Sequence, residues 1–277
     1  MALNGSPPDP LPEPRDLLRA FEVHGKVDWG EDPGTAAEIV EQYGQKVAER
    51  SLRTLERLVA SEPRVTAEFL AAMPSTGSAY HLASRIKSPA SLARKLADRQ
   101  RGRAWNQPIE DVLRYTVLTE HPQTVVAATR RTTDGLDRAG WRVGSAMHSY
   151  TEGSRYKGIH AWMKASTGDP VEVQFHSAQS VAVKEATTPH YEIERSADAA
   201  AEERTAARRE CIRLSATLID PPGIADLTEI GGRRVVVNNY SDSRAKTGSG
   251  HQAGGTAPDQ RASSQGIAPT RRDGMSR

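Results

Sequence analysis

Between Gly158 and His176 apolar and polar residues alternate in two short runs around the turn signal Ser166-Thr167-Gly168-Asp169-Pro170, a pattern that predicts a β-hairpin. In the second run Val171, Val173 and Phe175 point one way, and Glu172, Gln174 and His176 the other. In the first, Gly158, His160, Trp162 and Lys164 share the face opposite Ile159, Ala161 and Met163. One face is therefore ordinary core, whereas the other carries an acid, an amide and imidazoles. A strand that needed only a wet face would more often carry Thr, Lys or Ser.

Elsewhere the spacing is helical. A short helix is expected over Arg15–Glu22, and a long one from Thr35 to about Ala60, with Ile39, Val40, Tyr43, Val47, Leu55, Leu58 and Val59 as its stripe. A separate piece, Thr66–Met73, follows Pro63. Ser88 is a good N-cap and Pro89 a good first helical residue, so another helix starts there, and Asp98–Gln107 reads as a basic loop. Asp111–Leu118 reads as a buried strand entered through Asp111. A helix follows from Pro122 to about Ala139, with Val125, Val126, Thr129 and Leu136 inward. Trp141–Met147 is a strand, and Ala178–Lys184 and Glu202–Leu218 are helices. Helices, then strand, helix, strand and hairpin, then helices again predict an α+β domain around a small mixed sheet flanked by helices.

Composition sets the limits of that domain. Residues 1–34 are rich in Pro, Gly and polar residues and are expected to be a flexible segment; 35–220 form the domain; 221–277 read as a disordered tail, with one last apolar run at Arg234–Val237. A net charge of +2 does not announce a nucleic-acid binder. The single cysteine, Cys211, excludes an internal disulfide and a cysteine-rich zinc site, and His121, His148 and His190 lack metal-ligand spacing. Trp105, Trp141 and Trp162 read as core or rim. No run is long and apolar enough to span a membrane, and the first residues have no signal-peptide pattern. A cytoplasmic location is the expectation, although an exported protein written without its leader would look the same.

Arg85 and Lys87 precede the helix that Ser88 caps, and Ser91 and Lys95 lie one turn apart on it. Cations beside a helix N-terminus can seat phosphates; the plain alternative is a solvated basic helix end. Four pieces now follow in order: R-x-K-S-x-x-S-x-x-x-K from Arg85, the Asp111-led strand, Ser154-Arg-Tyr-Lys-Gly-Ile-His160, and Val171-Glu-Val-Gln-Phe-His176. Together, over roughly Tyr43–Ser196, they resemble the synthetase domain of the RelA/SpoT family, which makes the alarmones (p)ppGpp and, in some members, (p)ppApp.

The resemblance implies a nucleotidyltransferase-like synthetase fold and a stand-alone or toxin-like nucleotide 3′-pyrophosphokinase. It implies that Arg85, Lys87, Ser91 and Lys95 bind ATP and that Asp111 and Glu172 hold Mg²⁺, with Glu172 as the base for the acceptor's 3′-hydroxyl. Tyr156 would stack on the acceptor's purine, with Lys157, His160 and Gln174 beside it. The acceptor would be GDP or GTP, or AMP, ADP or ATP, and a neutralising antitoxin is a further expected partner. The chain departs from the usual loop N-G-Y-x-S-L-H, carries Thr116 where an arginine is common with Arg114 two positions earlier, and has His176 where many relatives have arginine. No His-Asp dipeptide occurs, so an upstream hydrolase of the bifunctional kind is not expected.

The chemistry asks for these residue types on its own account. Arg, Lys and Mg²⁺ neutralise polyphosphate oxygens, one or two carboxylates suit Mg²⁺, and an aromatic ring stacks on any base. Taken singly, each residue has an ordinary structural role open to it. Tyr156 can be a packed aromatic, His160 a structural hydrogen bonder, Glu172 a solvated acid or a partner of Lys164, and Asp111 a turn residue. Two other functions fit the same residues: transfer to the 3′ end of tRNA, helped by Arg99, Arg101 and Arg103, or nucleotide binding without catalysis.

Overall fold

A computed structural model describes residues 9–102, 104–196 and 198–240 of the chain. Helices α1 (Pro14–Glu22), α2 (Ala36–Tyr43) and α3 (Gln45–Ala72) come first. Thr35 caps α2 in a reciprocal box with Glu38, and Gly44, at φ 85°, separates α2 from α3. The single helix predicted from Thr35 is therefore two. Conversely, α3 runs straight through Pro63 and joins two pieces predicted to be separate. Proline removes one backbone donor and crowds the preceding turn, but Leu58, Val65 and Phe69 are buried on either side of it and carry the helix across.

Strands β1 (Gly77–Ala79), β2 (Leu113–Thr119), β3 (Arg142–His148), β4 (Ile159–Lys164), β5 (Pro170–Ser177), β6 (Glu229–Ile230) and β7 (Arg233–Val237) form, among the described residues, a seven-stranded sheet in the order β1-β2-β5-β4-β3-β7-β6. β2 runs parallel to β5 and β3 parallel to β7, and the other neighbours are antiparallel. The mixed sheet flanked by helices is the predicted α+β class. α4 (Pro89–Arg101) packs on α3, α5 (Val125–Arg138) packs on α3, β2, β3 and β5, and α6 (Ala178–Arg195) packs on β5 and on α7 (Ala201–Ser215). Leu113, Tyr115, Val117, Ile159, Ala161, Val171, Val173 and Phe175 face this helical layer and form the main core with it. Tyr115 stacks on Phe69 of α3 with ring centroids 4.5 Å apart.

Both predicted boundaries need correction. Leu17, Phe21, Val27 and Trp29 are buried, and the Trp29 indole donates to the Ile86 carbonyl at 3.0 Å. The leading segment is thus fastened to the domain from α1 onward, because Leu17, Phe21, Val27 and Trp29 point inward even though Val23 stays exposed. At the other end, β7 pairs with β3, and Val235 and Tyr240 are buried, so the domain reaches at least Tyr240 instead of stopping at 220. The buried side chains of Ile224, Leu227, Ile230, Val235 and Tyr240 outweigh a composition that otherwise reads as tail. α4 extends to Arg101, taking in the first part of the predicted basic loop, since Arg99 and Arg101 suit a helix C-terminus. α6 likewise runs on past Lys184, through Pro189, to Arg195. The rest of the predicted tail, residues 1–8 and Arg103 lie outside the described residues.

Candidate active site

The strand registers assemble the site. Parallel pairing sets Arg114 beside Glu172 and Thr116 beside Gln174, and antiparallel pairing sets His160 opposite Gln174 and Trp162 opposite Glu172. All these side chains leave the sheet on the face away from α3 and α5. The polar hairpin face predicted from alternation exists, but it is covered: Glu172 is 3% exposed, and Gln174, His160 and His176 are 0% exposed.

Burying that many polar groups requires each to find a partner, and they form one connected chain. Lys95 Nζ lies 2.6 Å from Asp111 Oδ1, and Lys87 Nζ lies 3.4 Å from Asp111 Oδ2. Arg114 bridges the two acids, with Nη2 at 3.0 Å from Asp111 Oδ2 and Nε at 2.6 Å from Glu172 Oε2. The other oxygen of Glu172 is 2.8 Å from His160 Nδ1 and accepts from Gln174 Nε2 at 3.1 Å. Burial alone would raise the pKa of both carboxyls, but the neighbouring cations prevail. Lys87, Arg114 and Lys95 bring Asp111 down to about 2, while Arg114 and His160 hold Glu172 well below the usual carboxylate range.

Beyond Glu172 the chain continues through rings. His160 Nε2 lies 3.1 Å from the Tyr156 hydroxyl, which lies 2.8 Å from His176 Nε2, and His176 Nδ1 lies 3.0 Å from Ser180 Oγ. Burial, with Lys184 and His160 nearby, pushes the His176 pKa well down, and burial pushes that of Tyr156 well up.

Ten residues were singled out from the sequence, and the structure gathers Lys87, Lys95, Asp111, Glu172, Gln174, His160 and Tyr156 into this chain. Arg85 stands apart. It is buried against Glu62 of α3 at 2.5 Å and donates to the Lys26 and Leu82 carbonyls, near the Thr66–Tyr115 hydroxyl pair on the helical side of β2. Ser91 donates its backbone N–H to Ser88 Oγ within the cap. Lys157 turns to Asp220 at 2.9 Å. Tyr156 is 5% exposed and closed in by His160, His176 and Tyr240. Of the loop arginines, Arg99 donates to the Gln107 carbonyl and Arg101 pairs with Asp98.

No family model matches the sequence, and no curated protein matches it. Among solved structures, the chain is similar to one described as the complex between the type VI effector Tas1 and its immunity protein. The identity is 16% and the TM-score 0.34, over 62% of this chain and 93% of that one. It is also similar to a GTP pyrophosphokinase family protein from Streptococcus pneumoniae, with 16% identity and a TM-score of 0.36 over 69% of this chain and 91% of that one. These are distant likenesses, and the chemistry of the site has to stand on its own side chains.

Three site residues carried no assignment from the sequence. Arg114 was visible only as an arginine in an unusual place, and its position three residues after Asp111 and beside Glu172 is what joins the acids. Lys184, on the part of α6 facing Glu172 and Arg114, has its pKa lowered to about 8 by desolvation and by Arg114. Tyr240 closes over Tyr156 and Met147 from beyond β7. Asp111 and Glu172 are hard oxygen donors meeting on one guanidinium, a donor set that fits Mg²⁺, which takes one or two carboxylates plus substrate oxygens. No group of three or more His, Cys, Asp or Glu side chains able to hold a metal occurs among the described residues. A cavity of about 310 Å³ lies elsewhere, lined by residues including Arg50, Arg57, Leu92, Leu96 and Pro108. Among the described residues no helix is long and apolar enough to cross a membrane.

Proposed function

We propose that this site transfers the β,γ-pyrophosphate of ATP to the 3′-hydroxyl of a purine nucleotide. The observation that carries the reading is the connected run Lys95, Asp111, Arg114 and Glu172, in which cations and carboxylates alternate on one buried face, with the His160 imidazole on the other oxygen of Glu172. A polyphosphate needs several cations at once, and a hydroxyl nucleophile needs a carboxylate close by; this run supplies both. Mg²⁺, which Asp111 and Glu172 would hold, neutralises phosphate oxygens when bound.

In the resting chain the lysines and Arg114 are committed to the carboxylates. Phosphate oxygens offer them a second acceptor, and a guanidinium that turns towards phosphate stops depressing Glu172. A Glu172 oxygen released by the guanidinium is then open to the acceptor's hydroxyl proton. The acceptor's O3′–H proton passes to a Glu172 oxygen, O3′ bonds to the β-phosphorus, and the bond from that phosphorus to the α-bridging oxygen breaks, releasing AMP. His160 and Gln174 hold the other Glu172 oxygen so that the base does not rotate. Among the described residues Gln174 Oε1 is buried without a hydrogen-bond partner, leaving an acceptor for a ligand hydroxyl or amino group.

The test is to incubate the protein with Mg²⁺, γ-labelled ATP and, separately, GDP, GTP, AMP, ADP or deacylated tRNA, and to look for labelled acceptor. A labelled purine nucleotide is expected. Transfer to none of them, where a known synthetase works, sinks the reading. Glu172→Gln is expected to lower turnover by at least about 10²-fold while ATP binding persists.

A further inference from the structure

The ring that resemblance assigns to the acceptor's base, Tyr156, is almost wholly covered. Its hydroxyl is taken by His160 and His176, and Tyr240 meets its ring at 5.5 Å and 81°. His160, His176 and Tyr240 are equally covered, at 0%, 0% and 2% exposure. One aromatic of this face differs. Trp162 on β4 keeps part of its indole accessible, is directly opposite Glu172 across the hairpin, and packs against the Met147, Tyr156 and Tyr240 cluster. Its ring lies nearly parallel to His160, at 20° and 5.8 Å between centroids, so it is backed by a side chain that itself binds Glu172.

We infer that Trp162 is the platform on which the acceptor's purine stacks, a role that deepens the pyrophosphate-transfer reading and rests on it. Opposite side chains of an antiparallel pair stand about 5 Å apart at Cβ. A purine on the indole therefore lays its ribose towards the Glu172 carboxylate and its phosphates towards the surrounding cations. Tryptophan is suited to this: its flat, large ring has few rotamers to lose, and it stacks on any base. Tyr156 becomes a positioning residue, fixing His160 and through it Glu172. The chemical class of ligand is a purine nucleotide with free phosphates.

Indole emission reports the contact directly. Trp29 and Trp141 are buried, so in a Trp105→Phe protein Trp162 is the described indole with access to ligand. GDP and ADP are expected to quench its emission, and ribose 5-phosphate, which lacks a base, is not. By calorimetry, Trp162→Ala is expected to weaken GDP or ADP binding by about 5- to 100-fold, with Trp162→Tyr restoring most of it. Unchanged emission at saturating nucleotide, or wild-type affinity in Trp162→Ala, overturns the inference without needing a folded alanine variant in the first case. Binding and transfer are read separately. Trp162-dependent purine binding without transfer removes the transfer reading and leaves the platform, whereas transfer with affinity indifferent to Trp162 does the reverse. Absence of any purine binding overturns both.

Discussion

Arg114 is the residue on which the site's electrostatics turn, since one guanidinium is 3.0 Å from Asp111 and 2.6 Å from Glu172. Removing one partner of a buried ion pair leaves an uncompensated charge, which is worse than never having had the pair. Arg114→Met is expected to lose about 3 kcal/mol in denaturant unfolding, far more than an exposed arginine would. The same balance gives Asp111 a pH signature. Its folded pKa, held at about 2 by Lys87, Arg114 and Lys95, lies below its unfolded value of about 3.9. Its contribution to stability is therefore complete above about pH 4 and disappears as pH falls towards 2. Glu172, also depressed, acts in the same direction. Thermal unfolding followed from pH 5 to pH 2 is expected to fall more steeply for the native chain than for Asp111→Asn; parallel curves would show that the pairs add nothing.

At the scale of elements, α4 carries Lys95, one of the cations proposed to meet the donor's phosphates, and its first turn rests on the Ser88 hydroxyl accepting the Ser91 N–H. Ser88→Ala is expected to cost about 1 kcal/mol in urea unfolding and to loosen ATP binding more than acceptor binding. This cap, the hairpin and the polar face of β5 were legible in the sequence because each is written within a few residues: a Ser-Pro pair, a Gly-Asp-Pro turn, a period of two. What was not legible depends on partners far along the chain. Arg85 looks like a phosphate ligand until Glu62, a helix away, claims it. Tyr156 looks like an open ring until Tyr240 covers it. Pro63 looks like a helix end because the packing of Phe69 on Tyr115 cannot be read from the helix alone.

For the whole molecule, the segment after Gly232 is a structural strand despite its tail-like composition. Ending the chain there removes β7 and uncovers the surfaces now sealed by Val235 and Tyr240, both nearly inaccessible. The loss is expected to be about 3–6 kcal/mol, seen as a fall of roughly 6–20 °C in Tm by calorimetry. A truncated chain that melts like the full one would show that β7 is only laid against the sheet. The parallel pairing of β2 with β5 has a consequence in time. Arg114 and Glu172 are 58 residues apart, and everything between them must be threaded before they meet. Closing so long a loop is slow compared with forming a helix or hairpin. A nascent chain that has not yet emerged as far as Glu172 has its lysines and Asp111 but no second carboxylate to complete them. The buried run of cations and carboxylates is therefore expected to be completed late in folding, all at once, with the docking of the fifth strand.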